Sequence, residues 1–248
     1  TFRNHTLYKW ISNAMAVLDY VRTLPEISRI YLAGHSQGGL TAMLVGAMEK
    51  DRISGLMPLS PAVIIPEDAR MGRMLGHHVD INHIEDSYPT DKEDYVLGGN
   101  YIRVAQTIYP EIAVKQYKGP VLIVHGQDDK TIPIGKSQEM AALYEDCRFV
   151  AIPDETHCYD NHLDSVVDVI RTFMQEKQGF VPKVILVSPP EIGTGIKSSP
   201  FYGDFSEAAI EESRKFPACY KAVAEERGCD YLDAAAYIYP SEVDCLQL

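Results

Sequence analysis

Gly34-His35-Ser36-Gln37-Gly38 constrains what this chain can fold into more than any other stretch. It follows 28–33, a short apolar run of strand length, and precedes 40–48, a run of small and apolar residues of helical length. A serine with glycine two places before and two places after, set between a strand and a helix, marks a very sharp turn. Such a turn strains the serine backbone, projects its hydroxyl at the end of the sheet and leaves no room for side chains beside it. The backbone N–H of Gln37, at the start of the helix, then faces any negative charge that develops next to the serine.

The surrounding pattern supports a layered α/β domain. Leu7, Ile11, Ala14, Val17, Leu18 and Val21 recur at helical spacing over 7–23, and Pro25 ends the run. With strands expected at 28–33 and 53–59, the first sixty residues read helix, strand, turn, helix, strand, the order of a mainly parallel sheet. Residues 64–100 break this rhythm. They are polar, rich in His and punctuated by Pro and Gly, as an inserted lid or binding excursion is. Alternation resumes with a helix at 101–108, a strand at 121–124, a helix near 134–145, a strand at 148–152 and a helix near 161–176. Gln178-Gly179-Phe180-Val181-Pro182 reads as a boundary. Beyond it the pattern predicts a strand at 183–187, a helix at 205–227 and a strand at 230–235. The expected domains are therefore 1–178 and 179–248.

Composition narrows the partners. The 248 residues carry a formal net charge of −12, which disfavours nucleic acid and anionic membrane surfaces. The longest apolar runs are of strand length, so no membrane-spanning helix is expected, and the N-terminal residues lack the pattern of a signal peptide. Cys147, Cys158, Cys219, Cys229 and Cys245 have neither CxxC nor Cys/His metal spacing. The expectation is reduced thiols in a cytoplasm, with no metal site.

A serine nucleophile needs a base. After the strand 121–124 comes His125-Gly126-Gln127-Asp128-Asp129-Lys130-Thr131-Ile132-Pro133, and after the next strand Asp154-Glu155-Thr156-His157. Both segments lie at the C-terminal ends of parallel strands, as Ser36 does, so residues far apart in sequence can converge there. His157 is expected to take the Ser36 proton, with a carboxylate holding its tautomer. His35, His77, His78 and His83 read as loop or surface residues.

GHSQGG, HGQDDKTIP and the late histidine together resemble the α/β-hydrolase fold. The pattern H-G-x-x-D-x-x-[VI]-P in that family places the acid on Asp129, with Asp128 a polar neighbour. RIYLAGHSQGG, LSPAVIIPEDA, LGGNYIRVAQTIYPE and KGPVLIVHGQDD narrow the likeness to the bacterial cinnamoyl (feruloyl) esterases, over about 2–175. The resemblance implies hydrolysis of hydroxycinnamate esters through an acyl-enzyme, with no cofactor and a small-molecule ester as partner. It also implies that the 64–100 excursion is a lid, and that Asp68 and Tyr101 contact the phenol hydroxyl. A less selective short-chain carboxylesterase is the alternative within enzymes; a scaffold of little activity is the alternative outside them.

Two departures from that family remain. The chain opens after the place where the family has several strands and an HGF-like loop that gives the second oxyanion donor, so full activity and a covered edge of the first strand are not expected. That open edge invites a homo-oligomer or pairing with another element. The tail, with PKVILVSPPEIG, GCDYLDAA and PSEVDCLQL, resembles the C-terminal half of SGNH/GDSL esterases. Asp244 stands at that family's acid position, but Gln247 replaces its histidine, which implies a non-catalytic segment. Its two strands are expected either to pair with the exposed edge, to mediate a dimer, or merely to follow a fusion junction.

Overall fold

The computed structural model describes residues 5–25, 27–74, 77–89, 96–178, 185–188, 191–198 and 207–236. These form two compact units, one ending at 178 and the other beginning at 185.

The first unit is built on a four-stranded, all-parallel sheet in the order β1 (Tyr31–His35), β2 (Gly55–Leu59), β7 (Val121–Gly126), β8 (Cys147–Ile152). Strand β7 is buried along its whole length. Its side chains alternate between two apolar clusters, as a strand covered on both faces requires. Val121 and Ile123 join one cluster with Leu40, Met43, Val45 and Leu56; Leu122 and Val124 join the other with Met57, Ile152, Val166 and Phe173. The first cluster is roofed by α1 (Leu7–Val21) and α2 (Gln37–Met48), the second by α7 (Leu163–Gln178).

Helix α1 is amphipathic: Leu7, Ile11 and Leu18 are buried, and the Thr6 side chain caps its N-terminus by accepting from the Lys9 N–H at 3.3 Å. Helix α2 is different, with every residue from Gly39 to Ala47 buried, which its uniformly small and apolar sequence permits. It lies so close to the sheet that a Cβ at Gly46 would come within 2.6 Å of the Leu56 side chain. Helix α6 (Ile134–Ala141) connects β7 to β8 and is shorter than its expected span of 134–145.

The excursion at 64–100 holds more structure than its sequence shows. It contains α3 (Ile64–Arg70) and two small antiparallel pairs, β3 (Arg73–Met74) with β4 (His77–His78) and β5 (Ser87–Pro89) with β6 (Val96–Gly98). His77 and His78 therefore lie in a strand, not a loop. Ala69, Met74, Val79 and Leu97 are buried in the same cluster as α1 and α2, so the excursion packs onto the core. Its spaced single apolar residues carry no period, and that hid this packing. Helices α4 (Gly99–Gln106) and α5 (Pro110–Ala113) follow.

In the second unit β9 (Ile185–Ser188) and β10 (Asp230–Asp233) pair with each other in parallel, as a two-stranded sheet of their own. The helix expected at 205–227 is two helices, α8 (Glu207–Ser213) and α9 (Phe216–Arg227). Pro217 explains the break: it lacks an N–H and is tolerated only in a helix's first turn. Gly228, at φ 65°, ends α9 in a left-handed cap. Asp244 and Gln247 lie outside the described residues. Among the described residues no helix is long and apolar enough to cross a membrane.

The fold makes Leu56 a junction between sheet and α2. Leu56→Ala should cost about 2–5 kcal/mol, the range for deleting a fully buried leucine, read as a lower urea midpoint with an unchanged slope.

Candidate active site

Ser36 occupies the turn between β1 and α2 at φ 54° and ψ −119°, a left-handed conformation that side chains other than glycine rarely adopt. The turn is as tight as its glycines suggest, but not at both of the expected positions. A Cβ at Gly34 would lie 2.2 Å from the Gly38 carbonyl oxygen, whereas a Cβ at Gly38 would meet nothing within 4 Å. The second crowded position is Gly39, whose Cβ would press on Pro61 at 3.0 Å. Steric need thus falls on Gly34 and Gly39, and Gly38 is not required for space.

The fold brings Ser36, His157 and Asp129 into one hydrogen-bonded line. Ser36 Oγ lies 3.0 Å from His157 Nε2, and His157 Nδ1 lies 2.7 Å from Asp129 Oδ2. A carboxylate only accepts, so the imidazole proton sits on Nδ1 and Nε2 accepts from the serine hydroxyl. The Asp129 side chain is fully buried and that of His157 is 14% exposed. Asp129 Oδ1 accepts from the Thr131 and Ile132 N–H groups, each at 2.8 Å. Burial alone would push its carboxyl up. The Ile132 and Thr131 N–H groups, with His157, more than offset that and hold it below the ordinary carboxylate range.

His125 belongs to this line too. It is buried, and its Nε2 lies 3.0 Å from the Ile132 carbonyl and 3.1 Å from Asp129 Oδ2. Two acceptors face that nitrogen, so it carries the proton, and Nδ1 accepts from the Ser137 hydroxyl at 2.9 Å. Burial pushes this imidazole down and so keeps it neutral, although the Ile132 carbonyl and Asp129 pull the other way. His35 is likewise more than a loop residue. Its Nε2 meets the His157 carbonyl oxygen at 2.7 Å, and the two rings stand 4.7 Å apart. The signal for His35 was its place inside the pentapeptide; the signal for His125 was its place one residue from a strand end in HGQDD.

A cavity of about 350 Å³ opens on Ser36. Ala62, Ile64, Ile65, Leu97 and Ile132 give it apolar walls, and Asp68 and Tyr101 are among its polar lining groups. The lining thus includes both residues expected to meet a phenol, and each already has a partner. Asp68 accepts from Arg73 Nη2 at 2.8 Å and Nε at 3.2 Å, while the Tyr101 hydroxyl donates to Gln37 Oε1 at 2.7 Å. Burial raises the Tyr101 hydroxyl pKa, so it stays protonated. Gln37, expected to offer its backbone N–H, is therefore fixed through its side chain. Trp10 and His5 also line the cavity, their rings joined by a 3.0 Å bond from Trp10 Nε1 to His5 Nδ1. Sequence reading passed over both. Among the described residues no group of His, Cys, Asp and Glu has the arrangement of a metal site.

Comparisons with known proteins bear on this geometry. The family described as "Serine aminopeptidase, S33" matches residues 3–94. The structure of Est1E from Butyrivibrio proteoclasticus is 48% identical, covering 71% of this chain and 72% of that one with a TM-score of 0.69. A second structure, described as ferulic acid bound to Est1E, is 47% identical over 72% of this chain and 71% of that one, with a TM-score of 0.70. A curated relative, 2-hydroxy-6-oxo-6-(2'-aminophenyl)hexa-2,4-dienoic acid hydrolase of Metapseudomonas resinovorans, is 25% identical over 167 residues; the chain spans 56% of its length.

Two predictions follow from the local geometry. Gly34→Ala should destabilise by about 1–3 kcal/mol or more, since backbone must move to admit its Cβ; Gly38→Ala should be neutral or stabilising, by up to about 1 kcal/mol. Thermal or urea unfolding separates them. Asp129 and Glu155 are both held below their ordinary values, Glu155 because backbone N–H groups of Thr156, His162 and Asn161 outweigh the upward push of burial. Depressed carboxylates stabilise the fold fully above their unfolded values, and that stability is lost as pH falls through them toward the lower folded ones. The urea midpoint should therefore hold down to about pH 5 and fall steadily below about pH 4.

Proposed function

We propose that this chain, which belongs to the α/β-hydrolase family, hydrolyses carboxylic esters through an acyl-enzyme formed on Ser36. The single observation that carries this reading is the line from Ser36 Oγ through His157 to the buried Asp129, at 3.0 and 2.7 Å. Ser36 Oγ attacks the ester carbonyl carbon while its proton passes to His157 Nε2. Asp129 holds the ring in the tautomer that can accept and stabilises the imidazolium that results. The Gln37 N–H, beside the nucleophile at the start of α2, donates to the oxyanion. When the tetrahedral intermediate collapses, the alcohol leaves with the proton from Nε2. Water then attacks the acyl group, its proton goes to His157, and Ser36 departs with that proton as the acid is released.

Hydroxycinnamate esters are the substrate class that fits best. The chain shares 48% identity with Est1E, a protein with a ferulic acid complex. Its cavity is apolar with a few polar groups, the form of a site for a flat aromatic acid. Asp68 Oδ2, left over from the Arg73 bonds on Oδ1, accepts from the phenol hydroxyl, and Tyr101 donates to the phenol oxygen when its proton turns from Gln37. A site with such polar groups discriminates against analogues that lack the hydroxyl. We read the 179–248 segment as a non-catalytic, partial SGNH-like unit, on the strength of its parallel strand–helix–strand arrangement. The unbridged Cys147 and Cys158 suit a reducing cytoplasm.

Hydrolysis of methyl ferulate and of a short-chain ester by this chain and by Ser36→Ala tests the reading. Ferulate turnover should exceed that of the short ester and should fall by about 10³-fold or more in the variant. Equal turnover of both esters would support the broad carboxylesterase instead. Loss of any difference between parent and Ser36→Ala would leave the scaffold.

A further inference from the structure

Among the described residues, Glu155 is the one fully buried carboxylate that the proposed chemistry does not use. It lies two residues before His157, and both of its oxygens point back into its own loop. Oε1 accepts from the N–H of Thr156 at 2.7 Å and of Asn161 at 3.2 Å, and Oε2 accepts from the N–H of His162. The three donors bracket His157, one residue before it and four and five after. The loop thus closes on a single anion, with His157 between its donors in sequence.

The same residue reaches the acid. The Glu155 carbonyl oxygen accepts from the Asp128 N–H at 2.8 Å, immediately before Asp129. The two loops are closely packed there, because a Cβ at Gly126 would come within 2.5 Å of that carbonyl and 2.3 Å of the Thr156 carbonyl. The loop also carries backbone that does not hold its shape unaided. Asp154 and Tyr159, on either side of His157, have φ of 55° and 60°. Non-glycine residues persist there only when their surroundings over-determine them. Two further bonds, Thr156 Oγ1 to Asp160 at 2.6 Å and Asn161 Nδ2 to the Asp154 carbonyl at 2.7 Å, also span His157, but each joins a single pair of residues. The Glu155 carboxylate gathers three backbone amides at once.

We infer that Glu155 is a positioning residue for His157: its buried carboxylate gathers the loop amides on both sides of the imidazole and, through its own carbonyl, sets that loop against the one carrying Asp129. The inference rests on the reading of Ser36 as an ester-hydrolase nucleophile. A neutral amide cannot replace the carboxylate, since its NH2 would face an N–H that needs an acceptor.

The test is Glu155→Gln, compared with the parent and Ser36→Ala at a temperature where all are folded. Misplacing the imidazole by a fraction of an ångström should lower kcat for the ester by about 10- to 100-fold, with KM within about twofold of the parent. Labelling of Ser36 by a fluorophosphonate should slow by the same factor, and the low-field NMR resonance of the His157 Nδ1–H should weaken. A variant that only melts earlier, with parent-like kcat, labelling and resonance, overturns the proposal. If Glu155→Gln does not fold, Glu155→Asp decides: it keeps the charge but withdraws the oxygens by one methylene. A reduced kcat at constant KM then supports positioning, and a parent-like kcat overturns it. A parent that labels no faster than Ser36→Ala overturns the hydrolase reading alone, and the imidazole resonance still decides the role of Glu155.

Discussion

The backbone of Ser36, fixed at φ 54° and ψ −119°, is the constraint to which the rest of the molecule answers. A conformation of this kind costs about 1–3 kcal/mol and survives only where the surroundings permit no other. Here they do not. The Ser36 N–H donates to the Leu59 carbonyl at 2.9 Å, and its own carbonyl accepts from Ala62 at 2.9 Å and from Leu40 at 3.2 Å. Strand β2 and helix α2 therefore clamp the turn from two sides, and the crowding at Gly34 and Gly39 leaves it no slack. The uniform burial of α2 serves this end, because a helix that cannot shift is what holds the serine where it stands.

The remaining positive-φ residues other than glycine are placed by the same logic. Ser60 follows β2, and Asp154 and Tyr159 follow β8, so strain is concentrated at one end of the sheet. A buried bond of 2.9 Å joins Ser60 Oγ to the Tyr159 hydroxyl, which donates in turn to the Val124 carbonyl. Burial pushes that phenol up to about 12, so it remains a donor. Charge is arranged as economically as strain. Asp129 is the buried anion of the proposed triad and is compensated by N–H groups and by two imidazoles. The paired arrangement is what makes a buried carboxylate tolerable.

Much of this was legible in the sequence, for reasons that differ by element. Strands β1, β2, β7 and β8 announced themselves because both faces of a parallel sheet demand continuous apolar runs, as in Val121–Val124. The convergence of Ser36 and His157 with a carboxylate was legible because strand ends fixed where each had to lie, whereas Asp129 was singled out from Asp128 only by the resemblance to the family pattern. His35, His125 and Glu155 were not, since their roles arise from contacts across 122, 4 and 7 or fewer positions whose partners are backbone groups or a buried carboxylate, and backbone groups leave no mark in a sequence. Gly38 was over-read: the pentapeptide pattern treats its two glycines alike, while the turn crowds only the first. The excursion at 64–100 concealed its packing because Ala69, Met74, Val79 and Leu97 are too widely spaced to show a period. The long helix at 205–227 was over-extended across Pro217.

The pairing of β2 with β7 has a consequence for how the molecule comes into being. Strand β1, the serine turn, α2 and β2 are neighbours in sequence and can assemble from local contacts. Leu56 must then wait for Val121, 65 positions later, and Ser36 must wait for His157, 121 positions later. Contacts closed over such distances form late, because the chain between them loses its freedom before the contact repays it. During synthesis Ser36 is thus in place well before His157, its proposed base. On that reading the centre is completed as nearly the last act of folding the first unit, and a growing chain carries the proposed nucleophile without the partner that would activate it.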